Sequence, residues 1–180
     1  MKQKLIKINP DALGVLIDLR YASRNNFTKQ KIYKKSKCLL IEEAFERLIV
    51  ANEIASSIGY KIKIFDAFRS INAQKKLWDI LPNPEFISPP SRGSPHSRGI
   101  AVDITLVDSN NIELDMGTEF DEFSKLSYHG SSFIPKNAIR NRLLLLGIMT
   151  TAGWDYFRNE WWHYQLYNSK SYPLIHYEDI

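Results

Sequence analysis

The sequence predicts an α+β fold in which a central antiparallel or mixed sheet is flanked by helices. Three observations support this. Stretches with helical spacing of apolar residues are followed by separate strand-like stretches. A chain of 180 residues fits one domain, residues 1–180, with a sizeable core. Its 44% hydrophobic and 24% charged residues are ordinary for a globular protein, so neither a disordered nor a fibrous chain is expected.

The elements follow in order. From Ile41 to Gly59, Phe45, Leu48, Ile49, Ile54, Ala55 and Ile58 recur at helical spacing, and Gly59 supplies a C-terminal stop. Tyr60 to Phe65 alternates like a strand. Asp66-Ala67-Phe68-Arg69 leaves that strand, and Ser70 is a candidate N-cap for a helix running to Leu81. Pro82 to Pro95 is a long irregular loop, rich in Pro, Ser and Gly, that ends at His96. Loops of this length in compact domains tend to be functional. Ile100 to Leu106 is apolar on both faces and reads as a central strand. Asn137 to Thr151 is a helix ended by Gly153, and Trp161 to Leu166 is a final aromatic strand.

Charge and cysteine content narrow the function classes. The net charge of +4 is scattered, and its densest run, Lys29 to Lys37, reads as a solvated loop rather than a nucleic-acid face. The single cysteine, Cys38, excludes an intrachain disulfide and reads as a small buried apolar residue. No apolar run approaches the ~20 residues of a membrane span, and Lys7 and Asp18 interrupt any secretion signal. The expectation is a cytoplasmic enzyme with a small substrate, without nucleic-acid or membrane partners.

Two polar clusters carry the chemistry: Ser94-Pro95-His96-Ser97-Arg98-Gly99-Ile100-Ala101-Val102-Asp103 and Glu160-Trp161-Trp162-His163-Tyr164. They offer two imidazoles and a carboxylate as ligands, plus a spare carboxylate. That is the inventory of a catalytic zinc site with an open position and a general base. Strand parity puts Asp103 on a face with the small Ala101 and Thr105, where a ligand has room. His96 can reach the same ion if the chain turns at Gly99. Glu160 would face away from His163 in a regular strand, so it must lie before the strand or at a bulge to join the site. Taken alone, each of these residues also has an ordinary structural reading.

The two clusters resemble the pattern Ser-x-His-x-x-Gly-x-Ala-x-Asp with Glu-x-Trp-His of the zinc D,D-peptidases. Tyr21-Ala22-Ser23 with Asn25-Asn26-Phe27, Asp66-Ala67-Phe68-Arg69, and Met116-Gly117-Thr118-Glu119-Phe120-Asp121 are similar to blocks of the D-alanyl-D-alanine dipeptidase branch. The resemblance implies a hedgehog/D,D-peptidase-like fold and one zinc ion per chain, held by His96, Asp103 and His163. It further implies Glu160 as catalytic base and Arg69 as transition-state stabiliser. Asp121 and Tyr21 would bind the substrate ammonium, and Ser94 the substrate carboxylate. The implied reaction is hydrolysis of D-Ala-D-Ala to two D-alanines. A peptidoglycan D,D-carboxypeptidase or endopeptidase, and an inactive zinc-stabilised binding module, are the alternatives.

Overall fold

The computed structural model describes residues 3–177. Strands and helices alternate as β1 (Leu5–Lys7), α1 (Pro10–Leu13), β2 (Leu16–Ile17), β3 (Leu39–Ile41), α2 (Glu42–Ser57), β4 (Lys61–Asp66), α3 (Ile71–Ile80), β5 (Ala101–Val107), α4 (Lys136–Thr151), β6 (Asp155–Tyr156) and β7 (His163–Gln165). The main sheet has the order β2-β4-β5-β7-β6. Its β2–β4 pair is parallel and its other pairs are antiparallel, so the sheet is mixed, as expected. β1 and β3 form a separate antiparallel ribbon.

Every residue of β5 is buried, which is why its sequence lacks a polar face. One face of the sheet, with Ile62, Ile64, Val102, Ile104 and Leu106, shares a core with Leu48 and Ala51 of α2 and Leu145 and Met149 of α4. The other face carries Asp103. Among the described residues no helix is long and apolar enough to cross a membrane.

Three local devices place the site. In β4, Ile64 pairs with Ile104 but Asp66, not Phe65, pairs with Asp103. This bulge brings the Asp66 carboxylate beside Asp103. Ser70 caps α3 as expected, its Oγ accepting from the Ala73 amide at 3.2 Å. Gly99 ends the 3-10 turn His96–Arg98 with φ +71°, and a Cβ there would lie 3.0 Å from Ile41 and Leu5 side chains. The chain therefore turns at Gly99 into β5 in a conformation suited to glycine.

The last strand is shorter than its aromatic sequence suggests. It starts at His163, and Trp161 and Trp162 lie in the turn before it. The amides of Glu160 and His163 are committed to turn bonds, to Phe157 O at 3.2 Å and Glu160 O at 3.3 Å. The short elements α1, β1, β2, β3 and β6 were not expected from the sequence.

Candidate metal centre and active site

Asp103 on β5 pairs directly with His163 on β7, so their side chains share a face. His96 enters from the preceding 3-10 turn, whose position is fixed by the Arg69 amide donating to His96 O at 3.2 Å. Ser94 Oγ accepts from the His96 amide at 3.2 Å. His163 Nδ1 lies 3.0 Å and His96 Nε2 3.3 Å from Asp103 Oδ1, and the two ring nitrogens are 3.1 Å apart. His96, Asp103 and His163 are all buried.

The far side of each ring fixes its tautomer. His96 Nδ1 lies 2.6 Å from Ala67 O, which can only accept, so Nδ1 carries the proton and Nε2 presents a lone pair. His163 Nε2 lies 3.1 Å from Gln165 Oε1, which likewise leaves Nδ1 as the lone-pair atom. Three acceptor atoms thus converge with no proton between them. Such a cluster repels itself in isolation and suits a cation, with partners on the ring nitrogens that orient the ligands.

Glu160 stands in the turn before β7, off the regular strand as parity requires, with Oε2 3.9 Å from His163 Nδ1. Burial, then the charges of Asp103 and Asp121, push its carboxyl well above the ordinary value against the opposing Arg69. Arg69 Nε and Nη2 donate to Asp66 Oδ2 at 2.9 and 2.7 Å, and Nη1 donates to Gln74 Oε1 at 2.9 Å. Nη2 also reaches Asp103 Oδ2 at 3.5 Å, and the guanidinium lies 4.9 Å from the Tyr21 ring centre. Asp66 in turn accepts from the Tyr33 hydroxyl at 2.5 Å. Asp66, Tyr33, Gln74 and Gln165 were not singled out from the sequence as site residues. The available signals were the place of Asp66 three residues before Arg69 and the strand parity that puts Gln165 on the face of His163; Tyr33 and Gln74 carried none.

Asp121 faces the same space from the loop after β5. Its Oδ1 accepts from the Tyr21 hydroxyl at 3.0 Å, while the buried Oδ2 has no hydrogen-bond partner among the described residues. Its backbone holds φ +64°, uncommon for a non-glycine residue. Burial first, then the charge of Asp103, push its carboxyl up to about 8. The loop bearing Tyr21 is closed by Asn26, whose amide donates to Arg20 O, Ser23 O and Gln30 O.

Tyr21, Arg69, Ser94, His96, Asp103, Asp121, Glu160 and His163 line one cavity of about 200 Å³, walled by Phe86, Phe123, Phe157 and Trp162. That is below the ~300–1,000 Å³ of drug-sized sites, so the cavity fits a small ligand. Other marked residues lie outside it. His129 packs on Tyr156 and Tyr164, with burial pushing it down to about 4. Arg98 donates to the Tyr172 and Arg92 carbonyls, and Cys38 is buried.

The family model described as D-ala-D-ala dipeptidase, Peptidase M15, matches residues 1–179. The chain is 42% identical over 159 residues to D-alanyl-D-alanine dipeptidase of Escherichia coli strain K12, covering 88% of this chain and 82% of that one. It is 31% identical over 186 residues to the enzyme of the same name from Enterococcus faecium, covering 92% of each. An Enterococcus faecalis relative, again of that name, is 29% identical over 181 residues, covering 89% of each. With the motif blocks gathered in one cavity and the whole length matched, the chain belongs to the D-Ala-D-Ala dipeptidase family of the M15 peptidases.

Proposed function

We propose that the chain, as a single domain spanning residues 1–180, hydrolyses the free dipeptide D-Ala-D-Ala to two D-alanines in the cytoplasm. The observation that carries this is one small cavity holding both a converging set of metal-ligand lone pairs and an unpartnered buried carboxylate oxygen on Asp121.

His96, Asp103 and His163 would hold one zinc ion, the metal best suited to a small, buried His2Asp set with an open position. When bound, zinc supplies Lewis acidity and lowers the pKa of a coordinated water to about 7. Glu160, raised by burial and beside the ligands, is poised to take a proton and pass it to the leaving amine. Four of the N–H groups of Arg69 are committed to Asp66, Gln74 and Asp103, leaving one on Nη1 for a developing oxyanion. Asp121, with Tyr21 on its other oxygen, would receive the substrate ammonium on Oδ2. A blocked or extended N-terminus would present a neutral amide there and forfeit the ion pair that Asp121 forms with a free ammonium. Ser94 would meet the substrate carboxylate through its hydroxyl hydrogen, since its lone pair already serves His96.

Metal analysis paired with a D-alanine release assay tests the reading. We expect about one zinc per chain and release from the free dipeptide, with N-acetylated D-Ala-D-Ala about 10–100-fold slower, the scale of a lost charged hydrogen bond. Preferential cleavage of a muramyl pentapeptide would move the assignment to a carboxypeptidase or endopeptidase. Zinc without any hydrolysis would move it to a binding module.

A further inference from the structure

Arg142, on the sheet-packed helix α4, ties the Asp121 loop to the rest of the molecule at both ends. It is buried, and among the described residues no hydrogen bond links its guanidinium to a carboxylate. Nε donates to Met116 O at 2.6 Å and Nη2 to Thr118 Oγ1 at 3.3 Å. Nη1 donates to Leu126 O at 2.7 Å and Tyr128 O at 3.1 Å. One planar fork therefore grips the loop both before and after Asp121. Burial of this cation among neutral oxygens is costly enough to push its pKa down to about 10.

The neighbouring contacts act in the same direction. Thr118 Oγ1 also accepts from Trp161 Nε1 at 2.9 Å and lies 3.1 Å from Ser127 Oγ, while Ser127 Oγ bonds back to Glu122 O. Asn141, next to Arg142, donates to Asp115 O at 2.8 Å. Gly117 holds φ +78° with its would-be Cβ 2.8 Å from Ile134 and 3.0 Å from Ala138, so the loop is pressed onto the start of α4. Between the two gripped ends, the chain around Asp121 has no helix or strand of its own to fix it.

We propose that Arg142 is a positioning residue for the substrate-amine pocket: by clamping Met116–Thr118 to Leu126–Tyr128 it sets the Asp121 carboxylate where the dipeptide ammonium must sit. This rests on the function proposed above. Lysine cannot replace it, because a single ammonium cannot span the carbonyls of Met116 and Leu126 together.

A double-mutant cycle on purified, zinc-loaded protein tests this. Arg142→Lys should raise KM for D-Ala-D-Ala about tenfold or more with kcat within about threefold, because Asp121 contributes uniform binding. Added to Asp121→Asn, it should cost at most about twofold further, since both changes remove one interaction. Additive penalties, or a fall in kcat at unchanged KM, would overturn the proposal. If Arg142→Lys does not fold, Thr118→Val, which leaves the arginine in place, enters the same cycle with the same criterion. If the wild-type protein releases no D-alanine, the functional reading fails by itself. Arg142 is then judged by hydrogen exchange: faster exchange confined to residues 116–128 supports the clamp, and unchanged exchange there refutes it.

Discussion

At the scale of single residues, the carboxylates of this cavity trade stability for chemistry. Asp121 is raised from the ordinary aspartate value near 4 to about 8 by burial and by Asp103. A raised folded-state value means that its stabilising contribution is complete below about pH 4 and is lost as pH rises toward 8. Asp121→Asn should therefore raise the melting temperature of metal-free protein at pH 8 and leave it nearly unchanged at pH 4; equal shifts at both values would contradict the assignment. The same variant should lose about 10–100-fold in kcat/KM on the free dipeptide, the worth of a charged hydrogen bond. Glu160→Gln should keep its metal but lose about 10²–10⁴-fold in kcat, the range for a general acid–base group. Retention of full activity would remove Glu160 from the mechanism.

At the scale of elements, strand periodicity decides which side chains meet. In β7, His163 and Gln165 share a face, so the Gln165 amide oxygen reaches the ring of the ligand two residues before it. Gln165→Leu should weaken zinc binding about 10–100-fold, as removal of such supporting partners does; competition with a chromophoric chelator measures it. Parity was legible in the sequence: it identified the Asp103 face and required Glu160 to stand off the strand. The β4 bulge was not legible, because one extra residue in Lys61–Asp66 leaves the alternation of Ile62 and Ile64 intact. The strands Leu16–Ile17 and Asp155–Tyr156 escaped for a related reason, being too short to show any period. The long helices were read within one or two residues at each end because apolar residues recur over several turns, although in α2 only Leu48 and Ala55 of that set are fully buried and Ala44 and Ala51 complete the buried face. In α2, Leu48→Ala should cost about 2–5 kcal/mol in denaturant unfolding, the range for a fully buried leucine.

At the scale of the whole molecule, the cavity is assembled from segments that only the folded chain brings together, with Tyr21 and Gln165 at its sequence extremes. The ligand set spans a loop and two neighbouring strands, so zinc binds the native state almost exclusively. Chelation should therefore lower the melting temperature, and zinc at 100 times its dissociation constant should restore about 2.7 kcal/mol. Asp103 was legible because a carboxylate is unusual in an apolar strand, whereas Tyr21, Arg69, Ser94 and Asp121 were legible only through the family resemblance, since each alone has an ordinary structural reading. The buried supports, Asp66, Tyr33 and Gln74, were not, since their roles depend on contacts made across the fold. The unpartnered Oδ2 of Asp121 has one more consequence, which is calorimetric. Near neutral pH this carboxyl is largely protonated, whereas an arriving ammonium demands its anion. Each dipeptide that docks must then expel close to one proton into the medium. In the metal-free protein, where no turnover adds heat, the heat of docking should track the ionisation enthalpy of the buffer, so that the buffer itself reports the occupancy of the amine pocket.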